Sequence, residues 1–158
     1  MTQVHRAPIA YGDLADHVGA DLGASAWWTV TQAQIDAFAE LTGDDQWIHT
    51  DPDRAARTAL GGTVAHGLLV LSLAPSMIFE TLPLTGVETV INRGCNLVRF
   101  TAPVPAGSRL RAQVSIASTR RRGPDFTEVV LDVGFEREDG TTACTAEFIA
   151  LLSPKAMA

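Results

Sequence analysis

Leu68-Leu69-Val70-Leu71-Ser72-Leu73-Ala74-Pro75-Ser76-Met77-Ile78-Phe79 is apolar on nearly every face when wound as a helix. A helix with so little polar face is surrounded by protein. The apolar stretch from Gly67 to Phe79 is too short to span a bilayer, and it contains Pro75. Proline lacks the amide hydrogen and crowds the preceding turn, so a kink is expected there. This helix is therefore the candidate core, and the segments on either side must supply what covers it.

Downstream, the pattern changes to strands. Residues 87–101 read as one long strand, ended by Pro103-Val104-Pro105-Ala106-Gly107. Leu110, Ala112, Val114 and Ile116 alternate with Arg109, Arg111, Gln113 and Ser115, the period of a half-buried strand. Val129, Leu131, Val133 and Phe135 repeat that alternation. Asp139-Gly140 is a hairpin-turn signal, and Thr142, Cys144, Ala146, Phe148 and Ala150 are expected on the inward face of a last strand. One buried helix followed by long antiparallel strands implies an α+β layer architecture, a sheet curled around the helix, in a single domain over residues 1–158.

Upstream, Thr31 followed by Gln34 forms a capping box, and Ile35, Phe38, Ala39 and Thr42 share one helical face. Gly43 is expected to end that helix. Asp51-Pro52 announces a second, short helix through Arg57. Ala26 to Val30 reads as a short strand, and residues 1–25 as an irregular arm with a turn of helix. Leu60-Gly61-Gly62-Thr63-Val64 is a glycine-rich loop leading to Ala65-His66-Gly67.

The 158 residues are 46% hydrophobic and 19% charged, the balance of a soluble globular chain. A net charge of −6 disfavours nucleic acid as a partner, and the one basic run, Arg120-Arg121-Arg122, is short and has no interleaved aromatics. Cys95 and Cys144 lie in apolar strand-like runs without metal-ligand spacing, and are expected to be buried reduced thiols. No basic segment leads into an apolar run within Met1 to Gly12, so no secretion signal is read there. The expected setting is the cytoplasm, with no membrane partner.

The chemistry-bearing stretch is Thr42-Gly43-Asp44-Asp45-Gln46-Trp47-Ile48-His49-Thr50-Asp51. On a continuous helix Asp44 and His49 would point about 140° apart. A helix stopped at Gly43 leaves a bent connection that can turn both groups toward one point. A carboxylate and an imidazole together manage protons on a water molecule near neutral pH. Asp51 reads as a helix cap, Asp45 as a solvated acid and Arg120–Arg122 as a hairpin tip. Ser72 is open between a pocket hydroxyl and a back-bond to the preceding turn. Asn96 and Arg99 are open between pocket and dimer edge.

Gly43-Asp44-x-Gln46-x-Ile48-His49-x-Asp51, followed by Gly62-Thr63-Val64-Ala65-His66-Gly67 and Ser72, resembles the MaoC-like hotdog hydratases and dehydratases. These include the (R)-specific enoyl-CoA hydratases. Asn92-x-Gly94-x-Asn96-x-Val98-Arg99-Phe100-x-Ala102-Pro103-Val104 extends the likeness over nearly the whole chain, toward the branch resembling nodulation protein N. Two departures stand out. Gln46 replaces the usual asparagine with an amide one methylene longer, and Trp47 replaces proline with added bulk.

The resemblance implies a hotdog fold, an antiparallel sheet wrapped around a long buried central helix. It also implies a homodimer acting on acyl thioesters of coenzyme A or acyl carrier protein. No metal or bound redox cofactor is implied, and coenzyme A enters only as part of the substrate. The family's catalytic aspartate and histidine match Asp44 and His49, and the glycine whose amide forms the oxyanion hole matches Gly67. Gln46, Gly62, Thr63, Val64, Ala65, His66 and Ser72 match substrate-binding positions. The implied reaction is reversible hydration of trans-2-enoyl thioesters to (R)-3-hydroxyacyl thioesters, with the acid and base roles of Asp44 and His49 unassigned. Its rivals are a hotdog acyl-CoA thioesterase and a non-catalytic acyl-binding subunit of a heterodimer.

Overall fold

The structure, a computed structural model, describes residues 7–156. The segment read for a secretion signal begins at Met1, and its first six residues lie outside the described ones. The chain enters through β1 (Ile9–Ala10), a 3-10 helix (Tyr11–His17), β2 (Asp21–Ala24) and β3 (Trp28–Thr29). It continues through α1 (Gln32–Thr42), α2 (Trp47–Thr50) and α3 (Pro52–Ala56). Next come α4 (Gly67–Ser72), α5 (Ala74–Thr81) and β4 (Leu84–Thr85). Four long strands finish it: β5 (Val87–Phe100), β6 (Arg109–Arg122), β7 (Phe126–Arg137) and β8 (Thr142–Pro154).

The main sheet is antiparallel in the order β2-β6-β7-β8-β5, with β3 also paired to β6. The alternation expected for β6 and β7 holds. Leu110, Ala112, Val114, Ile116, Val129, Leu131, Val133 and Phe135 are all buried on one side. They join Leu69, Val70, Ala74 and Met77 from the helices, with Leu14, Val30 and Ile35, in one hydrophobic cluster. On β8, Cys144, Ala146 and Phe148 face inward as expected, whereas Thr142 is exposed and Ala143 is buried. The cause is a register shift opposite Phe135/Glu136, which displaces the start of the strand by one residue. Gly140, at φ 81°, turns the β7–β8 hairpin in the left-handed region.

Local signals hold well in the first half. Thr31 Oγ1 accepts from the Gln34 amide and the Gln34 side chain accepts from the Thr31 amide, closing the capping box on α1. Gly43, at φ 75°, ends α1 and donates to the Ala39 carbonyl. Asp51 accepts from the Arg54 amide and starts α3. The arm carries more order than its sequence announces. β2 pairs with β6 through a bulge between Asp21 and Gly23, and β1 lies parallel to β4.

The apolar helix is two helices. Leu73 separates α4 from α5 while keeping φ −77° and ψ −14°, so the break is a lost hydrogen bond and not a reversal of the chain. Pro75 supplies no amide hydrogen, and the Ser72 and Ser76 hydroxyls donate to the Leu69 and Leu73 carbonyls. Burial is also one-sided. Leu69, Val70, Ala74 and Met77 are buried, but Leu68 and Phe79 are 62% and 55% exposed. Strand β5 is likewise exposed along most of its length, at one edge of the sheet.

Phe135 is fully buried at the centre of this core. Phe135→Ala is expected to lower the unfolding free energy by roughly 3–5 kcal/mol, read from the shift of a urea midpoint. A loss under about 1 kcal/mol would contradict the packing described. Both cysteines are free, Cys144 buried and Cys95 half-buried, where two buried thiols were expected. Burial pushes the Cys144 thiol up to about 11, with a smaller contribution from Cys95. Only the thiolate reacts with iodoacetamide, so at pH 8 Cys144 is expected to stay unmodified in the folded chain and to label once denaturant is added. Peptide mass spectrometry distinguishes the two outcomes.

Candidate active site

Asp44 and His49 reach one another because α1 stops at Gly43, ahead of both, so they are not held on one continuous helix. The left-handed Gly43 turns the chain, and the Asp44 amide donates to Thr42 Oγ1 at 3.4 Å. Residues 47–50 then wind a single helical turn, α2, in the stretch expected to be a bent connection. The His49 amide donates to the Gln46 carbonyl at 2.9 Å, and the side chain turns inward, 7% exposed.

Among the described residues, one hydrogen bond holds the imidazole of His49. Its Nδ1 lies 2.6 Å from the Val64 carbonyl, which can only accept, so Nδ1 carries the proton and Nε2 presents a lone pair. Val64 is fixed in turn. Its amide donates to the Ile48 carbonyl, the Ala65 amide to Val104 and the Ala106 amide to Thr63. Residues 63–65 are therefore threaded between α2 and the segment after β5, Val64 and Ala65 through their backbones and Thr63 through both its backbone and its hydroxyl.

His66 caps α4 and is 3% exposed. Its Nε2 donates to the Asp44 carbonyl at 2.9 Å, and its ring stacks on His49 with centroids 3.7 Å apart and planes 24° apart. Phe38 of α1 packs against the His66 ring at 5.1 Å. The Asp44 carboxylate is exposed and accepts from Gln46 Nε2 at 3.1 Å, so Gln46 touches the carboxylate directly. One side-chain donor atom each from Asp44, His49 and His66 lies within 4.8 Å of the others. That set suggests a metal by composition but not by geometry. Lone pairs lie in the ring planes, and rings stacked nearly parallel send them side by side, whereas an ion needs them to converge.

Gly67 follows His66 as the first residue of α4, where backbone amides have no intrahelical acceptor. A Cβ there would come within 2.9 Å of the Phe100 ring. Gly67, Val64, Ala65, Val70 and Phe100 line a cavity of about 250 Å³ beside the histidines' loop. A second cavity, apolar and about 270 Å³, lies between α5 and the sheet, lined by Pro75, Ile78, Phe79, Val90, Phe148 and Leu152. A wider trough of about 570 Å³ crosses the opposite face of the sheet past Leu97, Asp132 and Glu147. It holds no imidazole, so volume alone does not locate the chemistry.

Other candidates fall away from this point. Ser72 is exposed and bonds back to the Leu69 carbonyl, and Gly62 lies in the loop before Thr63. Asp51 caps α3, and the Asp45 carbonyl accepts from Thr50. Asn96 and Arg99 are exposed on β5. Arg122 pairs with Glu128 at 2.8 Å, and this hydrogen bond holds the Glu128 carboxyl below its usual range. Arg121 bonds to Tyr11 and the Pro124 carbonyl, so these arginines serve the hairpin.

One participant escaped the sequence reading. Gln32, in the first turn of α1, donates to the His49 carbonyl at 2.7 Å and accepts from the Thr63 hydroxyl. It ties α1, α2 and the loop together. Its position beside a capping threonine gave no sign of this, since both partners are remote in sequence.

Residues 13–135 match the family model described as MaoC like domain. The chain is 43% identical over 138 residues to 3-hydroxyacyl-thioester dehydratase Z of Mycobacterium tuberculosis, covering 87% of this chain and 91% of that one. It is 38% identical over 147 residues to nodulation protein N of Rhizobium leguminosarum, covering 91% of each. Among solved structures, the (R)-hydratase from A. caviae superposes with a TM-score of 0.68 at 28% identity, over 81% of this chain and 93% of that one. With the hotdog architecture, the carboxylate–imidazole turn and these likenesses together, the chain belongs to the MaoC-like dehydratase family.

Proposed function

We propose that this protein is a hydro-lyase that reversibly hydrates trans-2-enoyl thioesters to (R)-3-hydroxyacyl thioesters. The observation that carries the reading is the pairing of an exposed Asp44 carboxylate with a buried His49 whose Nδ1–H is committed to Val64, leaving Nε2 as the working nitrogen. Hydration adds hydroxide to C3 and a proton to C2. A water held between the carboxylate and Nε2 loses one proton to the pair, and the pair delivers one to C2. Both steps occur on the side of the alkene that faces the pair. Proton movement through two coupled groups leaves the acid and base labels to the pair as a unit.

Charge collects on the thioester oxygen as the enolate-like transition state forms. The Gly67 amide, at the open end of α4, is the donor we assign to it; removing a comparable oxyanion-hole donor from a serine protease costs roughly 3–4 kcal/mol. The cavity beside Gly67 is bounded by Phe100 and Val64, which put apolar surface beside that oxygen. The apolar cleft beneath α5 suits an acyl tail. The reaction is redox-neutral, so it calls for no redox cofactor, and the Asp44/His49 pair with the Gly67 amide is the machinery we assign to it in place of a metal. Coenzyme A, or an acyl carrier protein, is the handle on the substrate.

We also propose that the working form is a homodimer built on β5. Among the described residues that strand is an open sheet edge, and Val90, Ile91, Leu97 and Phe100 on it are 39–63% exposed. Unpaired edges with apolar side chains are what a second copy covers in an isologous contact.

Two measurements test these readings. Crotonyl-CoA hydration, followed by loss of the enoyl absorbance, is expected for the wild type. Asp44→Asn and His49→Ala are expected to lower kcat roughly 10²–10⁴-fold while the circular dichroism spectrum is retained. A wild type as slow as Asp44→Asn across several chain lengths would sink the assignment. Light scattering is expected to give twice the 16.8 kDa chain mass, and Ile91→Glu to shift it toward the monomer. A monomeric wild type at micromolar concentration would refute the dimer.

A further inference from the structure

His66 has two ring nitrogens in opposite situations. Nε2 donates to the Asp44 carbonyl across 22 residues of chain, whereas Nδ1 is buried with no hydrogen-bond partner among the described residues. A ring kept only for packing would lose nothing by having carbon at Nδ1, because an unpaired buried nitrogen is a desolvation penalty. What the imidazole supplies beyond packing is therefore the Nε2–H. Its acceptor is the peptide group of Asp44, the residue whose side chain bears the exposed carboxylate. The plane of that peptide helps set where the carboxylate points, because among the described residues Asp44 is otherwise tied only by its amide and by Gln46.

Two neighbours fix the ring itself. Phe38 lies against it at 5.1 Å and His49 stacks on it at 3.7 Å, so α1, α2 and the start of α4 meet on one imidazole. Its own backbone is committed too, since the His66 carbonyl accepts from the Val70 amide at 3.1 Å inside α4. The residue thus joins the three parts on which the proposed hydration depends: the carboxylate turn, the imidazole of His49 and the helix that begins at Gly67.

From this geometry we infer that His66 is a positioning residue, whose Nε2–H bond to the Asp44 carbonyl sets the carboxylate against His49. The inference rests on the hydratase reading above. Side-chain contact with substrate, the role its sequence position implies, is not needed for this effect.

Two substitutions separate the bond from the stack. His66→Phe keeps a flat ring against His49 and removes the donor. His66→Gln removes the ring and keeps an amide N–H at about the reach of Nε2. With crotonyl-CoA, His66→Phe is expected to lose at least tenfold in kcat with KM within about threefold of wild type, and His66→Gln to recover kcat to within about threefold. Melting temperatures and circular dichroism report whether each variant folds. Should His66→Phe fail to fold, nitrogen–proton correlation spectra of the wild-type histidines decide the matter. The His66 ring protonated on Nε2 supports the inference, and on Nδ1 overturns it. Wild-type kcat in folded His66→Phe, or equal losses in both variants, also overturns it. An active wild type that Asp44→Asn abolishes would then leave the hydratase reading standing alone, whereas an inactive wild type removes both.

Discussion

The hydrogen bond from His49 Nδ1 to the Val64 carbonyl, 2.6 Å long and buried, is the constraint on which the site depends. It does two things at once. It fixes the tautomer, so that Nε2 is left with a lone pair, and it pins residues 63–65 against α2. That loop in turn is bonded to residues 104–106 after β5 and delivers His66 and Gly67 to the start of α4. A buried carbonyl without a donor carries a penalty of about 1–3 kcal/mol, so loop and histidine hold each other in place. Gln32 braces the same junction from α1 through the His49 carbonyl and Thr63.

The environments of the two principal side chains differ as their proposed work requires. His49 is enclosed on one face by His66 and on its Nδ1 edge by Val64, which leaves it few orientations to explore. Asp44 stands in solvent with Gln46 on one oxygen. A water can therefore reach the carboxylate from bulk while the imidazole stays aimed. The longer amide of Gln46, a departure from the family's usual asparagine, still meets Asp44 at 3.1 Å. Trp47, the second departure, packs under the Arg54 guanidinium at 4.3 Å and so stabilises the α2–α3 corner.

Much of this was legible because its causes are local. Capping at Thr31, the stop at Gly43, the cap at Asp51 and the Asp139-Gly140 turn each depend on a few neighbouring residues, and so does strand alternation in β6 and β7. What was not legible depends on partners distant along the chain. The pairing of β2 with β6 joins Asp21 to Ser115, and its bulge has no local signature. The stack of His66 on His49 and the bonds of Gln32 arise only when α1, α2 and α4 converge. Hydrophobicity likewise marked Leu68 to Phe79 as a helix to be covered, but could not say that Leu68 and Phe79 remain exposed within one chain.

Gly67 shows how the sheet edge reaches the site. Its backbone is not in the left-handed region, so conformational freedom does not explain a glycine there. Space does, because the Phe100 ring stands where a Cβ would fall. Phe100 is the last residue of β5, the exposed edge strand, and it is half-exposed itself. The residue whose amide opens α4 is thus in van der Waals contact with the strand that carries the apolar edge. A partner that covers Phe100 would constrain its ring, and through it the side of Gly67 on which a Cβ would stand. Dimerisation at this edge and polarisation of a thioester at Gly67 would then share one aromatic ring, which is reason enough for a large residue at position 100 and the smallest one at position 67.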